Sequence, residues 1–551
     1  MSKESFAMTL AAVLLVTAVG GASFSPGASA MQDETARRID AHLSALVPWG
    51  FSGNLLVARR DTVLLIKGYG LANRESGISF GPRTQIPIGS IAKRFTQAAI
   101  QLLVEGGKLR LTDSLGRYFP DLPADKGVIT INHLLAHSSG LPASVGGPEV
   151  GRTRAAFLQA VGATPLLFSP GDRSSYSNAG YSVLAAVIEQ LSGKDFESFI
   201  RERFLLPNGI HETGWHFPRW DSARVGRTYA RGTIVPTGLA YPRAEGPRPF
   251  WGSQGAGAWM STLDDLHRWS RISATILERS SRPLRPGESF ASLGGNEAFE
   301  TAIRSYPSDS IVIVLHNNVS GSLSEHLSEQ VGRLALGQRL DAPPPPRDDW
   351  QPITSAVAGV YVLQSGGTIT AAPGAGHVTL TPSGQDAFDL LFDAPAAGSG
   401  QRLTLAARTD SVMKATLAGD WSALAGATET ATAVERRRAA AAGLGAFVAH
   451  RVIGVIATPA GGHGIVALSY ERGTRYERFG WAGSRVGLHQ FESEPPSVHV
   501  RWTGSDLFVQ FRLSNATYRA VRLSPSQGNA RGVLTIATPS GDVTAVRERK
   551  A

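Results

Sequence analysis

The sequence predicts an α+β protein: a mixed antiparallel sheet carrying a helical subdomain, followed by a β-rich C-terminal domain. Three observations predict it. Strand-like segments lie near both ends of the first ~340 residues, with helical periods between them, the order expected when both chain ends build one sheet. A run of four prolines, Pro343 to Pro346, then interrupts the pattern. Beyond it the chain is mostly short β-like segments separated by turn residues.

Each element has its own signal. Residues 33–47 place Ile39, Leu43, Leu46 and Val47 on one helical face. SGNLLVAR and DTVLLIKGYG, joined at Arg60-Asp61, read as an antiparallel hairpin. A helix is expected from Ser90, with Phe95, Ala98, Ala99, Leu102 and Leu103 in helical period and Gly106-Gly107 at its end. GYSVLAAVIEQLSG and DFESFIRERFL continue the helical text. NEAFETAIRSY and DSIVIVLHNN then read as two strands around Pro307-Ser308, closed by the helix SLSEHLSEQVGRLAL. The proline run cannot continue a helix and favours an extended, exposed spacer. The expected domains are a signal peptide over 1–30, a catalytic-type domain over 31–340, a Pro-rich linker over 341–350 and a β-rich domain over 351–551. In the last, VAGVYVLQ, HVTLTP, RLTLAAR, GIVALSYERG, SVHVRWTG, DLFVQFRL and RGVLTIAT suggest a small sandwich or barrel, interrupted by the helical-looking ATETATAVERRRAAAAGLGAF.

Composition narrows the function. A chain of 551 residues with 42% hydrophobic and 18% charged residues suits a soluble protein of two or three domains. The net charge of +9 comes mostly from scattered arginines, which argues against a nucleic-acid reader. There is no cysteine, so disulfides, thiolate catalysis and cysteine metal sites are excluded. Lys3, the apolar run Phe6 to Val19 and Ala28-Ser29-Ala30 form the pattern of a cleavable secretory signal, with cleavage near Ala30. The run is too short to span a bilayer. A periplasmic or secreted protein, without stable membrane insertion, is expected.

Two motifs carry chemistry. Ser90-Ile91-Ala92-Lys93 at a helix start puts Lys93 one turn from Ser90 on the same face. A desolvated lysine loses proton affinity and can act as a base. Spacing alone is weak evidence: Ser411-Val412-Met413-Lys414 repeats it with no partner motif. Tyr176-Ser177-Asn178 follows the turn Pro170-Gly171 and precedes a helix. A phenol beside a lysine can relay a proton, and an asparagine can bond both a substrate and the lysine.

Together, with the blocks GYGLAN, TQIPIGSIAKRFT, ITINHLLAHSSGLP, FSPGDRSSYSNAGYSVLAAVIEQLSG and GAGAWMSTLDDLHRW, these motifs resemble the penicillin-recognising serine hydrolases. That group takes in class C β-lactamases, D-alanyl-D-alanine carboxypeptidases and β-lactamase-like esterases. The resemblance covers about residues 35–340. It implies a β-lactamase/transpeptidase-like fold, an acyl-enzyme on Ser90, proton handling by Lys93 and Tyr176, and substrate orientation by Asn178. It implies no metal and no cofactor. One element departs from the family pattern. A Lys or His, any residue, then Gly is expected on a strand lining the site, and this chain offers Ser292-Leu293-Gly294-Gly295. Ser292 and Gly294 are thus the expected substrate-binding positions, and the backbone N–H groups of Ser90 and Gly295 the expected oxyanion hole. The missing cation weakens the case for β-lactams and peptide C-termini. The expected partner is a small-molecule or cell-wall peptide substrate, with no nucleic acid. The alternative is a catalytically impaired penicillin-binding-like protein that binds cell-wall peptide or a protein partner.

Other residues carry plainer expectations. His133 and His137, spaced i, i+4, lack the glutamate of a zinc-protease helix and are expected to be structural. Asp264 and Asp265 mark a helix start, and Trp251, Trp259 and Trp269 suit a core or a cleft wall.

Overall fold

The computed structural model describes residues 26–551 except 147–152, 216–220, 222–223, 231–232, 235–250, 278–282, 297–298, 320–322, 348–355, 375–376, 393–398, 425–436, 440, 459–460, 483–484, 493–495, 505–506, 513–516, 525–531, 539–540 and 549–551. The apolar run of the signal pattern therefore lies outside the described residues.

Helix α1 (Pro26–Leu46) leads into the hairpin β1 (Gly53–Arg59) and β2 (Thr62–Tyr69). Arg60 takes a left-handed φ of 53° in the tight connection between them. Much later in the chain come β3 (Phe290–Asn296), β4 (Phe299–Tyr306) and β5 (Ile311–Asn317). The five form one antiparallel sheet in the order β2-β1-β5-β4-β3. Strand β1 pairs directly with β5, Gly53 opposite Asn317 and Arg59 opposite Ile311, so both chain ends do build one sheet. Strand β3 had no strand signal of its own and lies at the sheet edge beside β4.

Both faces of this sheet are covered, which explains the continuous apolar run in β1. On one face Leu55 and Val57 join Ile39, Leu43 and Leu46 of α1 and Leu323, Leu327 and Val331 of a later helix. On the other, Leu56 and Ala58 meet the helical subdomain, including Phe95, Ala98, Ala99 and Leu103. The helices needed below are α2 (Ala92–Glu105), α3 (Asn178–Ser192), α4 (Leu263–Leu277) and α5 (Leu323–Ala335). Phe95 of α2 stacks on Trp269 of α4 at 3.9 Å and on Trp259 at 5.1 Å. Trp251, Trp259 and Trp269 are all buried.

The C-terminal region is β-rich. An eight-stranded closed barrel is made by β6 (Gly359–Leu363), β7 (Thr368–Gly374) and β8 (His377–Ser383) with five strands from 498–547, the last pairing back on β6. Between β8 and the strand Val498–Gly504 the chain inserts α6 (Gln385–Phe392), α7 (Ser399–Leu417) and a four-stranded antiparallel sheet over 447–492. RLTLAAR, expected as a strand, lies within α7. Its R-L-T-L alternation is short, whereas the buried residues of the helix, Leu405, Thr409, Met413 and Thr416, recur at helical spacing. Of ATETATAVERRRAAAAGLGAF, residues 437–439 and 441–444 are helical and much of the rest lies outside the described residues.

The proline run keeps an exposed member, Pro345, but is docked at Pro343 and Pro344. Pro343 is buried, and the indole N–H of Trp49 donates to the Pro344 carbonyl at 3.2 Å. Arg501 of the barrel donates to the Pro48 carbonyl at 2.6 Å and lies over the Trp49 ring. A proline carbonyl still accepts hydrogen bonds, so the run is tied down by the Trp49 indole at Pro344, and just past it the Arg347 N–H donates to the Trp502 carbonyl at 2.9 Å. We predict that limited proteolysis spares residues 341–347 in the intact protein and cuts there in Trp49→Ala. Equal cutting of both proteins would contradict the docking of the linker.

Candidate active site

The site lies where the start of α2, the start of α3 and the edge strand β3 converge. Ser90 sits in a 3-10 turn, Gly89–Ile91, that runs straight into α2, so the helix proper begins two residues later than the sequence suggested. Gly89 takes a φ of +49°, and a Cβ there would lie 2.5 Å from the Gly295 nitrogen. On β3, a Cβ at Gly294 would collide with the Ile88 carbonyl oxygen and lie 2.7 Å from the Ser90 nitrogen. The glycines let two backbone segments touch where side chains would hold them apart. Behind them, Pro87 pairs with Met260, and the Thr301 hydroxyl of β4 donates to the Pro87 carbonyl at 2.8 Å.

Ser90, Lys93, Tyr176 and Asn178 come together. The Ser90 Oγ lies 2.6 Å from the Tyr176 Oη and 3.0 Å from the Lys93 Nζ. The Lys93 Nζ also donates to Asn178 Oδ1 and to the Ala256 carbonyl, each at 2.7 Å. Lys93 is only 6% exposed. Its oxygen partners are neutral, so burial is uncompensated and pulls its pKa down to about 7. The rings of Tyr176 and Tyr181, 4.8 and 5.5 Å from the Nζ, favour the charged form, but a cation–π contact is worth only about 0.5–2 kcal/mol and does not reverse the effect. Burial raises the Tyr176 phenol above its ordinary value, so it stays protonated at neutral pH. This geometry suits a neutral amine. Its two N–H bonds can go to Asn178 and Ala256, which leaves the lone pair facing the Ser90 hydroxyl.

A cavity of about 300 Å³ opens beside Ser90, lined among others by Asn178, Ser144, Trp259, Gly295 and Phe299. Gly295 thus reaches the cavity. Ser292 and Gly294, expected to bind substrate, are not among its lining residues. Gly294 packs behind Ser90, and Ser292 sits two residues back along β3, opposite Ile303. Among the described residues no group of three or more His, Cys, Asp or Glu could hold a metal.

The remaining motifs separate from the site. Ser411 and Lys414 lie mid-way along α7, where Lys414 pairs with Asp410 at 2.7 Å. His133 closes a capping box with Thr130. Asp264 and Asp265 stand in the first turn of α4. His137 does not share that helix face. It adopts a φ of +55° and packs on Tyr176, and it was missed as a site residue. So were Tyr181 and the Ala256 carbonyl, which surround Lys93. The HSSGLP block held the only signal for His137, and its i, i+4 spacing from His133 pointed instead to a helix.

Residues 44–310 match the β-lactamase family. The chain is 31% identical over 167 residues to the "Putative penicillin-binding protein PbpX" of Bacillus subtilis (strain 168), a match covering 30% of this chain and 42% of that protein. It is 25% identical over 227 residues to protein flp of Staphylococcus aureus (strain MW2), covering 40% of this chain and 44% of that one. The chain therefore spans less than half the length of either curated relative. Among solved structures, the D-amino acid amidase of Ochrobactrum anthropi SV3 with D-phenylalanine overlays with a TM-score of 0.47 at 20% identity, over 56% of this chain and 100% of the amidase.

The lowered Lys93 pKa predicts a pH dependence with a definite sign. Below about 7 the ammonium has no lone pair for the Ser90 proton, and above it the amine does. The rate of covalent labelling by a fluorophosphonate should rise with pH through a midpoint near 7. A profile flat from pH 5.5 to 8.5 would contradict the assignment of Lys93 as base.

Proposed function

We propose that the protein is a serine hydrolase that acts on carboxylic esters and amides through an acyl-enzyme on Ser90. One observation carries this reading: the Ser90 hydroxyl is bonded at once to Lys93 and Tyr176 at the edge of a substrate-sized cavity. Lys93 takes the Ser90 proton as Oγ bonds to the substrate carbonyl carbon. The carbonyl electron pair moves to oxygen, and the N–H groups of Ser90 and Gly295 receive that oxyanion. When the oxyanion collapses, the bond to the leaving alcohol or amine breaks. The proton on Lys93 reaches the leaving group through the Tyr176 hydroxyl. Water attacks the acyl ester, its proton returns by the same two groups, and Ser90 is released with the carboxylic acid. Because its phenol is held protonated, Tyr176 relays the proton and Lys93 is the base.

The third motif bears on substrate class. With Ser292 where the family pattern has a cation, we propose that neutral esters and amides are better substrates than those recognised by a carboxylate. The name of the Bacillus subtilis relative supports a penicillin as the other candidate. The same serine favours the second reading, a catalytically impaired penicillin-binding-like protein that binds cell-wall peptide or a protein partner.

Ser90→Ala should cut ester hydrolysis by about 10⁴-fold or more, and Lys93→Ala nearly as much, since the two act as a unit. Ser411→Ala should change nothing. Ser292→Lys should speed reaction with a penicillin and leave a p-nitrophenyl ester unchanged. Equal gains for both would contradict the placement of the third motif, and hydrolysis retained by Ser90→Ala would remove the hydrolase reading.

Export is proposed on the N-terminal pattern. Protein recovered from periplasm or medium should begin near Met31, and recovery of the intact Met1 end would contradict this.

A further inference from the structure

Tyr176 is half exposed, yet its hydroxyl must stand within hydrogen-bond reach of Ser90. The backbone that carries it is sewn to the segment 137–143. The Ser175 N–H donates to the His137 carbonyl at 2.8 Å, and the Ser177 N–H to the His137 Nδ1 at 3.1 Å. The Ser177 hydroxyl donates to the Pro142 carbonyl at 2.7 Å, and the Asn178 N–H to the Ala143 carbonyl at 2.9 Å. His137 therefore brackets Tyr176, accepting from the residues on both sides of it. Its ring lies against Tyr176 at 4.6 Å and Tyr181 at 5.0 Å. Tyr181 is fixed in turn: Gln97 of α2 donates to its hydroxyl at 2.8 Å, and that hydroxyl donates to the Leu135 carbonyl at 3.2 Å.

The backbone of His137 is in the left-handed region, uncommon for a residue with a side chain. Such strain persists only where the surroundings over-determine it. Here it brings the ring of a residue just past the helix Ile131–Leu135 back over the Tyr176 loop. Ser177 is 1% exposed, so its N–H has little recourse to water if the Nδ1 is removed.

Resting on the hydrolase reading above, we propose that His137 is a positioning residue, whose Nδ1, more than its ring, holds the Tyr176 phenol against Ser90. It touches no reacting atom. Burial and the neighbouring Lys93 hold its pKa below the ordinary histidine value, in keeping with an Nδ1 that must stay unprotonated to accept. The two parts of the role separate by substitution. His137→Phe keeps a ring between the two tyrosines and loses the acceptor. His137→Asn keeps an acceptor and tolerates the left-handed backbone.

The test is a double-mutant cycle on the full-length protein, read as kcat and KM for a p-nitrophenyl ester and as the fluorophosphonate labelling rate. His137→Phe should lower kcat by about 10²-fold with KM within a few-fold, the size expected when a reacting group is misplaced by about 1 Å. His137→Asn should stay within about ten-fold of the parent. In a Tyr176→Phe background, His137→Phe should change kcat and labelling by less than about three-fold, because the group it positions is already gone. His137→Leu, also without an acceptor, carries the same expectations should the phenylalanine variant not fold. The same loss in both backgrounds, or an asparagine variant as impaired as the phenylalanine one, would overturn the positioning role alone. Hydrolysis retained by Ser90→Ala would overturn the hydrolase reading and this inference with it.

Discussion

Lys93 is enclosed by neutral oxygens and aromatic rings, and the rest of the site depends on that enclosure. Among the described residues no carboxylate contacts it, so nothing compensates its charge when α2 carries it into the core. The consequence is a lysine that can be an amine near neutral pH. An acidic partner in place of Asn178 would favour the ammonium over the amine. The choice of asparagine and a backbone carbonyl as its partners is therefore as chemical as it is structural.

That constraint reaches outward through the packing. The Ala256 carbonyl is brought to Lys93 by a segment that helices α2 and α3 both hold: Thr96 donates to the Gly255 carbonyl and Ser182 to the Gly252 carbonyl, each at 2.7 Å. Gly255 needs its φ of +70°, since a Cβ there would lie 2.7 Å from the Tyr181 carbonyl oxygen. Ser90 is held by glycines on its own turn and on β3, an edge strand whose place is set by β4 and β5. The sheet, with helices covering both faces, is the rigid support for a site made mostly of loops and helix starts.

Much of this architecture was legible in the sequence. The hairpin, the α2 face with Phe95 and Leu103, and the strands flanking Pro307 follow from periodicity, because burial on defined faces writes a period into the residues. Ser90, Lys93, Tyr176 and Asn178 were legible as motifs whose order and flanking blocks matter more than their spacing. What escaped depends on three-dimensional closeness. Strand β3 is rich in small residues that pack against backbone, so it carries little hydrophobic pattern. The α7 segment showed a short alternation that tertiary packing overrode. The proline run looked exposed because composition does not reveal a donor such as Trp49, far away in sequence. His137 looked like half of a helical pair because a left-handed backbone angle leaves no mark on residue spacing.

Peptide mapping after fluorophosphonate treatment tests the proposal that Ser90 is the residue this site activates. Trypsin releases Ser90 within the peptide Thr84–Lys93 and Ser411 within Thr409–Lys414. The adduct mass is expected on the first peptide, at Ser90, with the second peptide unmodified. An adduct on any other serine, with Thr84–Lys93 unmodified, would contradict it.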